Sequence, residues 1–251
     1  MEIASLGSGS RGNGTLVRHG DACLLIDCGF RYSEAVKRLS LRGIDPEALS
    51  AVFITHEHSD HASGVKALAE RHQIPVYATR GTWIEIGGRT SSEHHELTGS
   101  VQVQALQVQP VTVPHDARQP VQFVIESPTH RFGLLSDLGS LSKTVIERFQ
   151  QLDGLSLEFN HDVDMLAEGP YPQFLKQRVG GDFGHLSNAQ AATLLQHIAS
   201  SRLQTVVACH LSEQNNAEAL VEAALDQALD HLPAERMIAT QAFGFDWMTL
   251  G

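Results

Sequence analysis

Cysteine is scarce: there are three in 251 residues. Cys23, Cys28 and Cys209 form an odd set without metal-pair spacing, which argues against a disulfide framework or a thiolate metal site and leaves reduced, partly buried thiols. Long apolar runs are missing too, and Met1-Glu-Ile-Ala-Ser-Leu6 leads into a first strand without a basic leader. No membrane span and a cytoplasmic location are therefore expected. There is no low-complexity stretch, no Pro/Ser-rich linker and no detectable repeat. With 42% hydrophobic residues for a core, the chain reads as one domain over 1–251. Positive charge is the last shortage: 18 Lys and Arg face 29 Asp and Glu, for a formal charge of −11. That balance disfavours an extended phosphate-binding surface.

Histidine, by contrast, is abundant, at fourteen residues. Three of them crowd with a carboxylate into Thr55-His-Glu-His-Ser-Asp-His61, a density that no packing demand calls for. The preceding 51–55 is apolar enough for a buried strand, and 62–71 has the pattern of an amphipathic helix. The cluster thus lies on a strand-to-helix loop, where α/β proteins keep their sites. In a tight loop His56 and His58 can converge on one ion while Asp60 and His61 point to a neighbouring one. Neutral imidazole with carboxylate is the ligand set of catalytic zinc, manganese or iron.

Around this loop the pattern predicts strands over 14–19, 22–27, 101–106, 108–113, 121–127, 132–136, 154–159 and 205–208, and helices over 33–41, 141–151, 187–200 and 216–232. A polar stretch, 87–99, reads as a mobile loop. His72, His197 and His231 fall on helices, and His19, His94, His95 and His130 in turns or loops, where structural or surface roles are expected. Gly7-Ser-Gly-Ser-Arg-Gly-Asn-Gly14 can either offer backbone N–H groups to a phosphate or simply turn tightly.

The His/Asp loop, together with Asp27 in Cys23-Leu-Leu-Ile-Asp-Cys-Gly29, resembles the metallo-β-lactamase superfamily. That family adds a third His, a bridging Asp and a late His; Val113-Pro-His115-Asp, Leu135-Ser-Asp137-Leu-Gly and Ala208-Cys-His210-Leu-Ser follow in that order. The resemblance implies an α/β fold, a four-layer αββα sandwich. It also implies two divalent metal ions, one held by His56, His58 and His115 and the other by Asp60, His61 and His210, with Asp137 bridging. Zinc is the first candidate, manganese or iron the alternatives. Leu6-Gly-Ser-Gly-Ser-Arg-Gly-Asn13, Leu157-Glu-Phe-Asn-His-Asp162, Gly169-Pro-Tyr-Pro172, Gly184-His-Leu-Ser-Asn188 and His210-Leu-Ser-Glu-Gln-Asn-Asn216 look like the YycJ-type branch, which is cytoplasmic and DNA exonuclease-like. Gly184-His-Leu-Ser is also similar to the nuclease branch containing ribonuclease J, in which the earlier His serves the substrate phosphate. Catalytic roles for Asp60 and His185, and substrate-binding roles for His161 and His185, follow from that likeness. The large nucleases insert a cap domain after the bridging Asp, for which 137–185 has no room.

The implied activity is phosphodiester hydrolysis by a hydroxide bridging the two metals, most plausibly on DNA from an end, with RNA second. Two divalent ions would add four positive charges where the phosphate binds, so weak, salt-sensitive nucleic-acid binding is expected despite the acidic total. Arg11, Arg31, Lys143, Lys176 and Arg178 are the basic candidates around the mouth. Rival readings are a hydrolase of a small cyclic phosphodiester or of a thioester. A non-enzymatic metal-binding regulatory module fits less well, because all seven ligand positions are filled.

Overall fold

Strands β1 (Glu2–Gly7), β2 (Gly14–His19), β3 (Ala22–Ile26), β4 (Ala51–Phe53), β5 (Val76–Ala78) and β6 (His94–Glu96) build a first sheet. The second holds β7 (Val101–Val103), β8 (Leu106–Thr112), β9 (Val121–Glu126), β10 (Arg131–Leu135), β11 (Gly154–Glu158), β12 (Thr205–Cys209) and β13 (Glu235–Ile238). Last comes β14 (Phe245–Thr249), which returns to pair with β1. The computed structural model describes residues 1–87 and 93–251. The strand orders are β14-β1-β2-β3-β4-β5-β6 and β13-β12-β11-β10-β9-β8-β7. Each sheet begins antiparallel and turns parallel, at β3 in the first and β10 in the second. The carboxyl ends of β3 to β6, and of β10 to β13, are thereby gathered on one edge of their sheet.

Period-two alternation within the strands decides the layers. Leu24, Ile26 and Phe53 of the first sheet meet Phe123, Ile125, Phe132 and Leu134 of the second in an apolar layer between the sheets. Their neighbours Cys23, Leu25 and Val52 face the other way. There they are covered by α1 (Tyr32–Leu41), which is followed by the short α2 (Ser59–Ala62), and by α3 (Val65–His72) and α4 (Arg80–Glu85). The second sheet is followed by α5 (Lys143–Arg148), α6 (Val163–Glu168), α7 (Gln173–Val179), α8 (Asn188–Ile198) and α9 (Glu218–Ala228). Of these, α5, α8 and α9 pack Val145, Leu195 and Leu225 onto Leu155, Leu157 and Val206. Helix, sheet, sheet, helix is the expected four-layer sandwich. At the start of α8 the Ser187 hydroxyl accepts from Gln190 N while the Gln190 side chain accepts from Ser187 N, a reciprocal cap that fixes where the chain leaves the site for the helix.

Some expectations need correcting. Residues 101–106 are not one strand: Gln104 takes a left-handed φ of 51°, so β7 stops at Val103 and a tight turn leads into β8. Within 87–99, His94–Glu96 pairs in parallel with β5 as an edge strand, and 88–92 lie outside the described residues. Helices α6 and α7, absent from the sequence reading, occupy the stretch where larger nucleases carry a cap. Among the described residues, no helix is long and apolar enough to cross a membrane.

Candidate metal centre

Strand ends supply the donors. His56, His58 and His61 follow β4, His115 follows β8, Asp137 follows β10, Glu158 ends β11 and His210 follows β12. Asp27 and His210 adopt left-handed φ values of 62° and 54°, breaking the chain out of its strand just where the side chain must enter the centre. Such conformations cost roughly 1–2 kcal/mol each and persist only where surrounding contacts impose them. Here Thr55 N donates to Asp27 Oδ1 at 2.8 Å, and His210 N donates to Ser8 Oγ at 2.8 Å. The loops also press together at Gly29, where a Cβ would lie 1.7 Å from the Asp60 carbonyl oxygen.

Ring protons can be followed through the first donor group. His115 Nδ1–H donates to the Gly184 carbonyl at 3.0 Å, and His58 Nε2–H donates to the Asp116 carbonyl at 3.2 Å. The Thr55 hydroxyl donates to Asp27 Oδ2 at 2.8 Å, so its oxygen is left to accept Nδ1–H of His56 at 2.9 Å. Three nitrogens without protons therefore converge: His58 Nδ1 stands 3.0 Å from His56 Nε2 and 3.4 Å from His115 Nε2. Lone pairs facing one another at this range repel unless a cation sits among them. Nitrogens bound at ~2.0–2.1 Å to a tetrahedral ion stand ~3.4 Å apart, so the spacing fits. Burial, reinforced by His61, pushes His56 well below the ordinary imidazole pKa, and burial also lowers His115; both stay neutral and ready to ligate.

The second group is charged. His61 Nε2 lies 3.0 Å from Asp137 Oδ2 and 3.5 Å from Asp60 Oδ2, which is 3.4 Å from His210 Nε2. Asp27 Oδ2 takes the Nδ1–H of His61 at 2.8 Å, and Glu158 Oε1 takes that of His210 at 3.2 Å, which leaves both Nε2 atoms aimed inward. Burial disfavours charge on His210, yet Asp137, Asp60 and Glu158 outweigh it and raise the pKa to about 10. In the same way Asp137, Asp60 and Asp27 overcome burial to hold His61 well above its usual value. This carboxylate set demands positive charge, from protons or from a metal cation. Asp137 Oδ2 is buried and, among the described residues, has no hydrogen-bond partner that meets it in line, although His61 Nε2 lies 3.0 Å away. An ion shared between the two groups would satisfy it. The donors fit two divalent cations on these grounds.

A model of the beta-lactamase superfamily domain matches residues 23–210, a span that contains Asp27 and every donor named above. The chain belongs to the metallo-β-lactamase superfamily. It is 33% identical over 228 residues, 88% of this chain and 85% of the relative, to exodeoxyribonuclease WalJ of Streptococcus pneumoniae serotype 2 (strain D39 / NCTC 7466). Over 236 residues, 92% of this chain and 89% of the relative, it is 29% identical to exodeoxyribonuclease YycJ of Bacillus anthracis. Its fold is similar to that of the metallo-beta-lactamase fold protein YhfI from Bacillus subtilis, with a TM-score of 0.77 over 99% of both chains at 18% identity.

In this superfamily member the centre opens into a cleft of about 350 Å³ whose walls include His58, Asp60, Asp137, His185 and His210. Sequence reasoning missed Glu158. Its Oε1 accepts from His185 Nδ1 at 2.6 Å as well as from His210, and its Oε2 accepts from Leu138 N at 2.9 Å and Leu186 N at 3.1 Å. With both oxygens fully used, Glu158 is a hydrogen-bond hub and not a further ligand, although it lies close enough to Asp137, His185 and His210 to make a possible metal group. A carboxylate closing the apolar run Gly154–Glu158 was the available signal. His161 is 3% exposed and stands outside the cleft wall, which gives it no direct reach to a substrate there. The N–H groups of Gly7, Ser8, Gly9, Arg11, Gly12 and Asn13 all bond within the protein, so they form no phosphate cradle; the loop carries Ser8 and Asn13 to the centre and sets Ser10 in the cleft wall. Of Arg11, Arg31, Lys143, Lys176 and Arg178, only Arg178 lines the cleft; Arg11 pairs with Glu213, Lys143 with Glu147, and Lys176 donates to the Ala167 carbonyl.

Proposed function

We propose that the protein is a phosphodiester hydrolase with two divalent metal ions that shortens DNA from an end, with RNA a poorer substrate. His56, His58 and His115 would hold one ion, Asp60, His61 and His210 the other, and Asp137 both; zinc suits the donor types best, then manganese or iron. Bound there, the ions would supply a nucleophilic hydroxide near neutral pH and positive charge for the phosphate. Asp60, whose side chain is 21% exposed at the cleft, can accept a hydrogen bond from the attacking water and so hold its proton in place. His185 donates Nδ1–H to Glu158, which fixes the ring and leaves Nε2 for the substrate. Burial lowers its pKa, but the Glu158 charge and hydrogen bond prevail and raise it, which favours the protonated ring that proton donation to the leaving oxygen requires.

The observation that carries this reading is His185 on the cleft wall, its ring held from behind by the buried Glu158 carboxylate beside the two donor groups. The two relatives named exodeoxyribonucleases support nucleic acid over a thioester as substrate. Metal-reconstituted protein should be assayed against end-labelled DNA, end-labelled RNA, a small chromogenic phosphodiester and a thioester. DNA shortening from an end is expected, with the His185→Ala protein retaining its metal while losing ~100- to 1,000-fold in rate on both diesters. Thioester cleavage without diester cleavage would overturn the assignment, and metal loss in His185→Ala would make that residue a ligand.

A further inference from the structure

One wall of the cleft carries no metal donor. Tyr171, Leu175, Arg178 and Val179 form it, from the turn before α7 and from α7 itself. None of the α7 residues is buried, and its Phe174 is 71% exposed. Phe183, two residues before His185, is 62% exposed. Aromatic and apolar side chains presented to solvent beside a phosphate-handling centre are what unpaired bases meet in single-strand sites, where every base offers a flat face to stack. Charge points the same way. Arg178 Nε donates to Asp116 Oδ2 at 2.5 Å, but the arginine side chain is 59% exposed, and a solvated pair of this kind yields readily to a phosphate. Tyr171 itself lines the cleft and is half-buried, so an aromatic ring stands at the wall where a base could stack. At about 350 Å³ the cleft has room for roughly one nucleotide.

We propose that Tyr171 and Arg178 form a subsite for the unpaired terminal nucleotide of a nucleic-acid strand, the base stacking on Tyr171 and a phosphate taking Arg178 from Asp116. The subsite rests on the phosphodiesterase reading and specifies what that centre admits. It is built by the short α6–α7 segment and replaces the grip a cap domain would supply.

The test compares a single-stranded oligonucleotide with the same strand carrying an abasic terminal residue, cleaved by the wild type, Tyr171→Ala, Tyr171→Phe, Arg178→Ala and Arg178→Lys. Removing the terminal base should lower the wild-type kcat/KM about tenfold, Tyr171→Ala should lower it by a similar factor on the intact strand, and that variant should no longer distinguish the two substrates. Tyr171→Phe should behave as wild type. Arg178→Ala should weaken binding to both strands and reduce the slope of log affinity against log salt by about 0.7, one phosphate contact, which Arg178→Lys should restore. Equal losses for Tyr171→Ala on the intact and abasic strands would make the residue structural and overturn the subsite, as would wild-type rates and an unchanged salt slope in the variants. A wild-type protein that cleaves the small chromogenic diester but no oligonucleotide would instead overturn the nucleic-acid reading itself.

Discussion

Glutamine at position 158 would remove one charge and one acceptor from a side chain with 0% exposure. Its Oε2 receives two backbone N–H groups, from Leu138 and Leu186, and these can only donate, so the amide oxygen must stay with them. The new NH2 then faces His185 Nδ1, now 2.6 Å from Oε1, and His210 Nδ1, now 3.2 Å away. Both rings are driven to the other tautomer, with the proton on Nε2. On His210 that is the nitrogen assigned to a metal; on His185 the charge that raises its pKa has gone. Two charge-assisted bonds to backbone amides become neutral at about 1 kcal/mol each, which gives a stability loss of ~2 kcal/mol, reduced somewhat because a neutral amide is cheaper to bury. Activity should fall further: loss of a partner that orients a metal ligand costs ~10–100-fold, and loss of a proton donor ~100-fold or more. Glu158→Gln should therefore show a small drop in melting temperature, weaker metal retention by elemental analysis, and kcat/KM on a small phosphodiester down at least about a hundredfold. A folded Glu158→Gln protein with wild-type kcat/KM and metal content would refute the reasoning.

Asp60→Asn should keep the circular dichroism spectrum while losing at least about a hundredfold in turnover, and near-wild-type turnover in a folded variant would remove Asp60 from the mechanism. His58→Ala should lose metal on elemental analysis, since it deletes one of three converging nitrogens; undiminished metal would separate His58 from the centre. Gly29→Ala changes no donor, yet its Cβ would meet the Asp60 carbonyl at 1.7 Å. Displacing that loop should cost ~3 kcal/mol and lower metal content, measured by thermal melting and elemental analysis; an unchanged melting temperature would mean the loops do not press together there in solution.

The positions that cluster as possible metal donors were legible because three histidines and an aspartate within one loop have no packing explanation, and because each partner ends a recognisable apolar strand. Glu158 was not, because its meaning lies in what it touches: His185 and His210 reach it from loops 27 and 52 residues away. A single glutamate after Leu157 looks the same in sequence whether water or two imidazoles await it. His94 and His95 read as loop for a related reason, since a parallel edge strand needs its neighbour, not its own hydrophobicity, to form. Helices α6 and α7 were hidden by their shortness and by Gly169, Pro170 and Pro172 between them. The separation of Val101–Val103 from Leu106–Thr112 turns on one left-handed residue, Gln104, whose type does not announce that conformation.

Asp60 and His210 are 150 residues apart in the chain and meet only where the two sheets dock. Loops following the first sheet bring His56, His58, Asp60 and His61; those following the second bring His115, Asp137 and His210. Hairpins and helices within each half can form from local contacts, whereas closing so long a loop comes late in folding. Neither half has a complete donor set by itself. Metal uptake by a refolding chain therefore times the joining of the halves, and a binding signal that lags the recovery of helix and strand would be the mark of that final step.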